Sequence, residues 1–319
     1  MKSEEPLIQN SQLNAIKHHG VLAIKLIAVP AGLIWLVSEL LADTRLEHVQ
    51  IDPWLLAAAL ATNQLALLLF ALRMRIVLSA FDIVLSLHQT IRIHLQSMFY
   101  FFVIPMTVGL EAARFAKIKS AAAGSTIPST DLGAALLTDR LIGAFAALAI
   151  ALALCPFIQF QMPADWRFNT SALWLPAIGL IVMAIFLRFL FRQLLSDLAA
   201  KWLVRLGNLM KAFAVSLIVH FLFCLGIFLA ALAIAIPIEL HQVVFVVSAS
   251  MLFVVLPFSF AGVGPIEAAN IALLLSLGMS TEQAVVFALI SYLARLAAAF
   301  EGAAWEIWEG GLVAFSHLR

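Results

Sequence analysis

The chain is 319 residues long, 64% of them hydrophobic and 12% charged, with a net charge of +1 and a mean hydropathy of +1.05. A water-soluble domain is nearer half apolar and a quarter charged, so this balance excludes one and calls for a chain threaded through a membrane. The near-neutral charge offers no basic field to a nucleic acid, and the two cysteines, Cys155 and Cys224, stand apart in apolar runs without disulfide or metal-ligand spacing.

Residues 1–20 read as a polar cytoplasmic or interfacial tail, and the long apolar run that follows is not a cleavable signal peptide. A first span is expected at about 21–42 and a second from Pro53 to about Leu72, each long enough to cross at 1.5 Å per residue. After Arg73, Arg75 and Arg92 comes a segment at about 93–116 that is broken at Pro105 and Gly109 and closes on Lys117 and Lys119. Asp131 stands where a helix cap belongs, and the span behind it, to Phe157, carries Asp139 and Arg140 in its first half. A loop at 158–171 leads to a span at about 172–190. Residues 193–211 alternate basic and apolar positions like a helix lying on the membrane surface. The span at about 212–236 contains His220. A second broken segment covers about 241–277, with Pro257, Gly262 and Gly264, and a last span covers about 281–300. Residues 301–319 form an interfacial tail with Glu301, Trp305, Glu306, Trp308 and Glu309.

The two broken segments echo each other. Each is an apolar run, a proline, a hydroxyl residue two places on (Thr107, Ser259), a glycine, and Glu-Ala-Ala opening a new helical run at Glu111 and at Glu267. The echo continues into Leu137-Thr-Asp-Arg-Leu and Tyr292-Leu-Ala-Arg-Leu, which place Arg140 and Arg295 at nearly equal distances from the two glutamates. Two matches in one order signal an internal duplication. The basic residues put both termini and the surface helix on the cytoplasmic side. The first broken segment then enters and leaves from the cytoplasm and the second from the outer face. The expected fold is an all-α polytopic membrane protein of two inverted repeats, 21–157 and 172–300. Each repeat has two transmembrane helices, a re-entrant helical hairpin and a third transmembrane helix; ten conventional helices are the alternative.

Ionisable groups inside spans cost at least ~2.5–3.5 kcal/mol each and need partners or water. Glu111, Arg114, Asp139, Arg140, Glu267 and Arg295 are the candidates for substrate binding. Glu111 and Arg114 share a helix face, and Arg140 lies roughly 13 Å into its span. Two arginines meeting near the midplane favour an anionic headgroup, above all a phosphate, and the breaks at Pro105–Gly109 and Pro257–Gly264 turn helix N-termini toward it. The plain alternative is that these charges only lock helices together. His220 is expected to hydrogen-bond or pack, His88 and His94 to lie at the interface, and Asn63, Gln64 and Asn270 to join helices. No hydrolase elbow, phosphate loop or metal motif appears in the sequence, so no enzyme, cofactor or metal is expected.

Taken in order, Leu72-Arg-Met-Arg75, Ile104-Pro-Met-Thr-Val-Gly109 with Arg114, Thr138-Asp-Arg-Leu-Ile-Gly143, Leu256-Pro-Phe-Ser, Gly262-Val-Gly-Pro-Ile-Glu267, Leu277-Gly-Met-Ser and Arg295 resemble the lysylphosphatidylglycerol synthase transmembrane-region family. The resemblance covers roughly residues 20–300. It implies a bacterial or archaeal inner-membrane protein that moves a lipid or a polyprenyl-linked sugar between leaflets. The synthase domain that names the family is absent from this sequence, so lipid aminoacylation is not implied. The expected function is a flippase for an amphipathic anionic lipid. The alternatives are a membrane subunit that presents lipid to a glycosyltransferase and a proton-coupled carrier of small anions. A homo-oligomer, or an enzyme of lipid or glycan synthesis as partner, stays open.

Overall fold

The computed structural model describes residues 51–103, 108–122, 127–161, 201–255 and 264–309. The expected first span, the span at 172–190, most of the loop at 158–171, and Pro105, Pro257 and Gly262 lie outside them. Among the described residues there is helix and no strand. The longer helices are α1 (Pro53–Ala80), α2 (Leu87–Val103), α3 (Val108–Ala121), α4 (Ser129–Leu154), α5 (Leu206–Ala233), α6 (Leu240–Met251), α7 (Pro265–Ser276) and α8 (Thr281–Trp308). Four of these, α1, α4 (with the short turn to Phe157), α5 and α8, are long and apolar enough to cross a membrane.

The helix starts are written in the sequence. Asp52 caps α1, its carboxylate accepting from the Trp54 and Leu55 amides at 2.8 and 3.2 Å, with Pro53 at the first helical position. Ser86 and Gln89 exchange bonds at the head of α2, as Ser280 and Gln283 do at the head of α8. Gly264 and Pro265 open α7, and the Glu267 carboxylate reaches back to the Gly264 amide at 2.7 Å. Asp131 does not cap α4. Pro128 holds that position without a side-chain bond, and Asp131, inside the first turn, pairs with Lys201 at 2.5 Å.

Three helices have other limits than the sequence suggests. α1 continues past Leu72 to Ala80, because Arg73 finds partners inside the protein. The span that was to begin near 212 begins at Leu206, so the last residues of the expected surface helix belong to α5. The last helix, expected to end near residue 300, runs on to Trp308. The cause of the last extension is a polar seam. Glu301 accepts from Gln64, Glu306 pairs with Lys117, and Glu309 takes both Arg92 at 2.5 Å and Gln96 at 2.8 Å. Gly302 lies flat on the Leu95 carbonyl, where an added Cβ would overlap it.

α1 packs along α5. α2 packs on α8, and α6 packs on α4, so each short helical pair leans on the closing helix of the other half. The two largest apolar clusters fill much of the interior. One takes Leu209 and Ala212 from α5 with Met74, Leu78, Leu132 and Leu136; the other takes Phe223 to Ala231 from α5 with Val243, Val247, Leu274 and Phe287. Ser216 and His220 fall between the clusters along α5. That gap is where the polar layer lies.

Replacing Gly302 by alanine is expected to force α8 off α2 and cost about 1–3 kcal/mol of stability, as overpacking does. Gly133 has nothing within 4 Å of its Cβ position, so Gly133→Ala serves as the neutral control. Thermal unfolding in detergent, followed by size-exclusion chromatography, checks the pair. Equal melting temperatures would mean that the α2–α8 contact is slack.

Candidate functional site

Arg73 is where the polar layer begins. It lies on the inner face of α1 with 4% of its surface exposed. Its guanidinium grips Asp139 of α4 in a fork, Nε to Oδ1 and Nη2 to Oδ2, both at 2.9 Å. Nη1 donates to the Ser216 hydroxyl of α5 at 3.1 Å. The group rests 4.9 Å from the Phe70 ring centre and close against Gly143, where a Cβ would come within 2.9 Å of Nη1. A side chain at 143 would displace the arginine.

Arg114 of α3 is the hub, 6% exposed. Nη1 stands 3.5 Å from Glu111 and 3.7 Å from Asp139, and Nε donates to the Ser97 hydroxyl at 3.2 Å. Nη2 donates to His94 Nδ1 at 3.0 Å. A guanidinium has only donors, so Nδ1 accepts and the imidazole proton sits on Nε2. Glu111 closes the circuit by accepting from Arg140 Nη1 at 3.0 Å. On the far side Arg295 of α8 is ion-paired with Glu267 of α7, whose second oxygen holds the Gly264 amide. Glu267 thus ties Arg295 to the first turn of α7.

Arg73, Arg114, Arg140, Arg295, Glu111 and Asp139 all line one cavity of about 190 Å³. The structure therefore brings together five of the six residues singled out from the sequence, and Glu267 joins them through Arg295. Gly109 lies buried in the first turn of α3, and Gly264 caps α7. Asn63 donates to the Ala294 carbonyl and His220 Nε2 lies 3.0 Å from the Gly143 carbonyl, both in the joining roles expected of them.

Two residues of the site were not anticipated. Arg73 was read as the basic end of a span. The signal against that is Ile76-Val-Leu78, an apolar stretch that carries the helix another two turns. His94 was placed at the interface. It is instead 3% exposed and stacked on Phe70 at 5.4 Å between ring centres. A lone histidine in an amphipathic run gives no sign of the arginine that will hold it.

Among the described residues the layer is made of four guanidinium groups (Arg73, Arg114, Arg140, Arg295) and three carboxylates (Glu111, Asp139, Glu267).

Residues 21–300 match the family described as the lysylphosphatidylglycerol synthase TM region. The chain belongs to that family. No curated protein and no solved structure matches the chain. Membership in this family and the four apolar helices make it a multi-pass membrane protein.

The Arg73–Asp139 fork sets a sharp expectation for stability. Asp139→Leu leaves a buried guanidinium short of its counter-ion and is expected to cost about 3–5 kcal/mol, whereas Arg73→Met with Asp139→Leu recovers most of the loss. Unfolding midpoints of the two single variants and the double variant measure this. A double variant no more stable than Asp139→Leu would show that the two side chains do not act as a unit.

Proposed function

We propose that this protein is a transporter that moves the headgroup of an anionic lipid, or of a polyprenyl-linked sugar, between the leaflets of a cell membrane, and that it is not an enzyme. The observation that carries the reading is the convergence of four guanidinium groups, Arg73, Arg114, Arg140 and Arg295, on one cavity among the helices. Ionisable groups in a membrane interior mark substrate and ion pathways, and a cavity lined by several charges of one sign favours a ligand of the other. Guanidinium groups suit the oxygens of a phosphate, which they bind in forked pairs.

The cross-packing of each short helical pair on the other half supports an inverted repeat with re-entrant hairpins, α2–α3 from the cytoplasmic side and α6–α7 from the outer side. Both termini are then cytoplasmic. In that arrangement the two helices that open at Glu111 and Glu267 point their N-terminal ends at the same anion. Family membership agrees with lipid as cargo. The lipid tails stay in hydrocarbon while the headgroup crosses through the ionic layer.

Arg140 separates this reading from helix locking. Glu111 keeps Arg114 as a partner when Arg140 is replaced, so its carboxylate is not stranded. Arg140→Gln is therefore expected to remain folded and to lose lipid translocation by at least about tenfold, the scale of one charge-assisted contact. Proteoliposomes carrying a fluorescent phosphatidylglycerol, with dithionite bleaching of the outer leaflet, give the rate; melting in detergent gives the stability. Lost stability with unchanged translocation would make Arg140 a structural residue, and a wild-type protein that moves no lipid would end the flippase reading. Native mass spectrometry of lipids retained by the wild type and by Arg140→Gln identifies the headgroup class.

A further inference from the structure

A second cavity, of about 610 Å³, runs between α1, α5 and α8. Leu56 and Leu60 of α1, Ile227 and Ala230 of α5, and Val286 and Leu293 of α8 make its walls apolar. Its polar groups stand at the two ends: Glu282 and Gln283 at the head of α8, and Asn63. Asn63 and Ala294 line the arginine cavity as well, so the two spaces share a wall. The contact that closes the wall is the Asn63 amide on the Ala294 carbonyl at 3.4 Å, longer than an ordinary hydrogen bond and cheap to part. Leu60 and Leu293 remain 52% and 45% exposed, which leaves the groove open along its length.

We infer that this groove holds a hydrocarbon tail, acyl or isoprenoid, of the same molecule whose anionic headgroup occupies the arginine cavity, with Asn63 as the threshold between head and tail. The inference rests on the proposed function and sharpens it. An ionic chamber adjoining an apolar one across a single weak contact is complementary to one amphipath and has no use for a soluble anion. Hydrocarbon gains nothing by leaving lipid for an apolar groove. The groove therefore adds register rather than affinity: it keeps the tail aligned while the charged end is held off centre.

The arrangement also has a direction. Asn63 lies about 15 Å along α1 from Pro53 at helical rise. With the basic ends of the helices in the cytoplasm, the groove occupies the outer half of the membrane and the arginine cavity the inner half. A molecule in both has its headgroup toward the cytoplasm and its tail outward. That is the posture of a lipid taken from the cytoplasmic leaflet.

The test uses the full-length protein in nanodiscs of phosphatidylcholine and phosphatidylglycerol in roughly equal parts. A diazirine-bearing leucine analogue is placed at Leu293 in the groove, or at Leu152 on α4, which is 64% exposed and lies outside both cavities. After irradiation, adducts are identified by mass spectrometry. At position 293 phosphatidylglycerol is expected to exceed phosphatidylcholine by about fivefold, the scale of modest site-to-site coupling, while position 152 reports the bulk mixture. The excess at 293 disappears in Arg140→Gln. Equal lipid composition at the two positions overturns the inference. So do adducts at 293 with a peptide from residues 21–42 of the same chain or from a second copy. Translocation is measured on the same preparations. Lipid that still moves without enrichment at 293 removes the tail groove alone, whereas no movement in the wild type removes the proposed function beneath it.

Discussion

A guanidinium in a membrane interior cannot be left to itself, and most of this structure follows from having several. Arg73 is buried in the interior, so groups from other helices must come to it. Asp139 brings α4, Ser216 brings α5, and Gly143 gives up its side chain to make room. Arg114 does the same for the first short helical pair by way of Ser97, His94 and Glu111. The apolar clusters above and below are generic in composition. What sets the register of the helices is the polar layer, because a shift of one turn would strand a charge at a cost far larger than any loss of packing.

The two seams where a short helical pair meets the closing helix of the other half are built differently. At α8 against α2 and α3, acidic residues of the last three turns meet Lys117, Arg92 and Gln96, and Glu301 also takes Gln64 of α1. At α4 against α6 the contacts are apolar, with Ile150 and Leu154 beside Val243 and Phe245, and Phe160 edge-on to Phe245 at 5.8 Å. The polar seam is held by directed pairs, one of which, Lys117 with Glu306, is largely buried, and the other seam by apolar packing.

Much of this was legible in the sequence because the repeated pattern is made of residues with strong local rules. Pro265 after Gly264, Ser280 before Gln283, and Asp52 before Pro53 mark helix starts by backbone chemistry alone, and the structure starts helices there. Glu111, Asp139, Arg140, Glu267 and Arg295 stood out because charge inside an apolar run is costly wherever it occurs. The misses share one cause. The ends of α1 and α8 were drawn at the first cluster of charges, on the assumption that charge meets water. Arg73, Lys117 and Glu306 break the assumption because each finds its opposite on another helix, and such partners are far apart in sequence. His94 fails in the same way. Asp131 was read as a cap by type, yet its carboxylate is drawn to Lys201 across the chain.

The remaining tension lies between locking and binding, since a paired arginine serves either purpose. Even a good buried pair contributes little net stability, so a layer of several is a costly way to lock helices together. Here Glu111 is shared between Arg114 and Arg140, so one carboxylate serves two cations on two different elements, α3 and α4. A shared counter-ion is held weakly by each partner and can be displaced from one of them by an incoming anion without leaving the other exposed. The fork at Arg73 and the capped pair at Glu267 are rigid by contrast, each carboxylate engaged through both of its oxygens. The layer thus has two fixed ends and a loose middle. Arg140 belongs to that middle, with 24% of its side chain open beside the cavity.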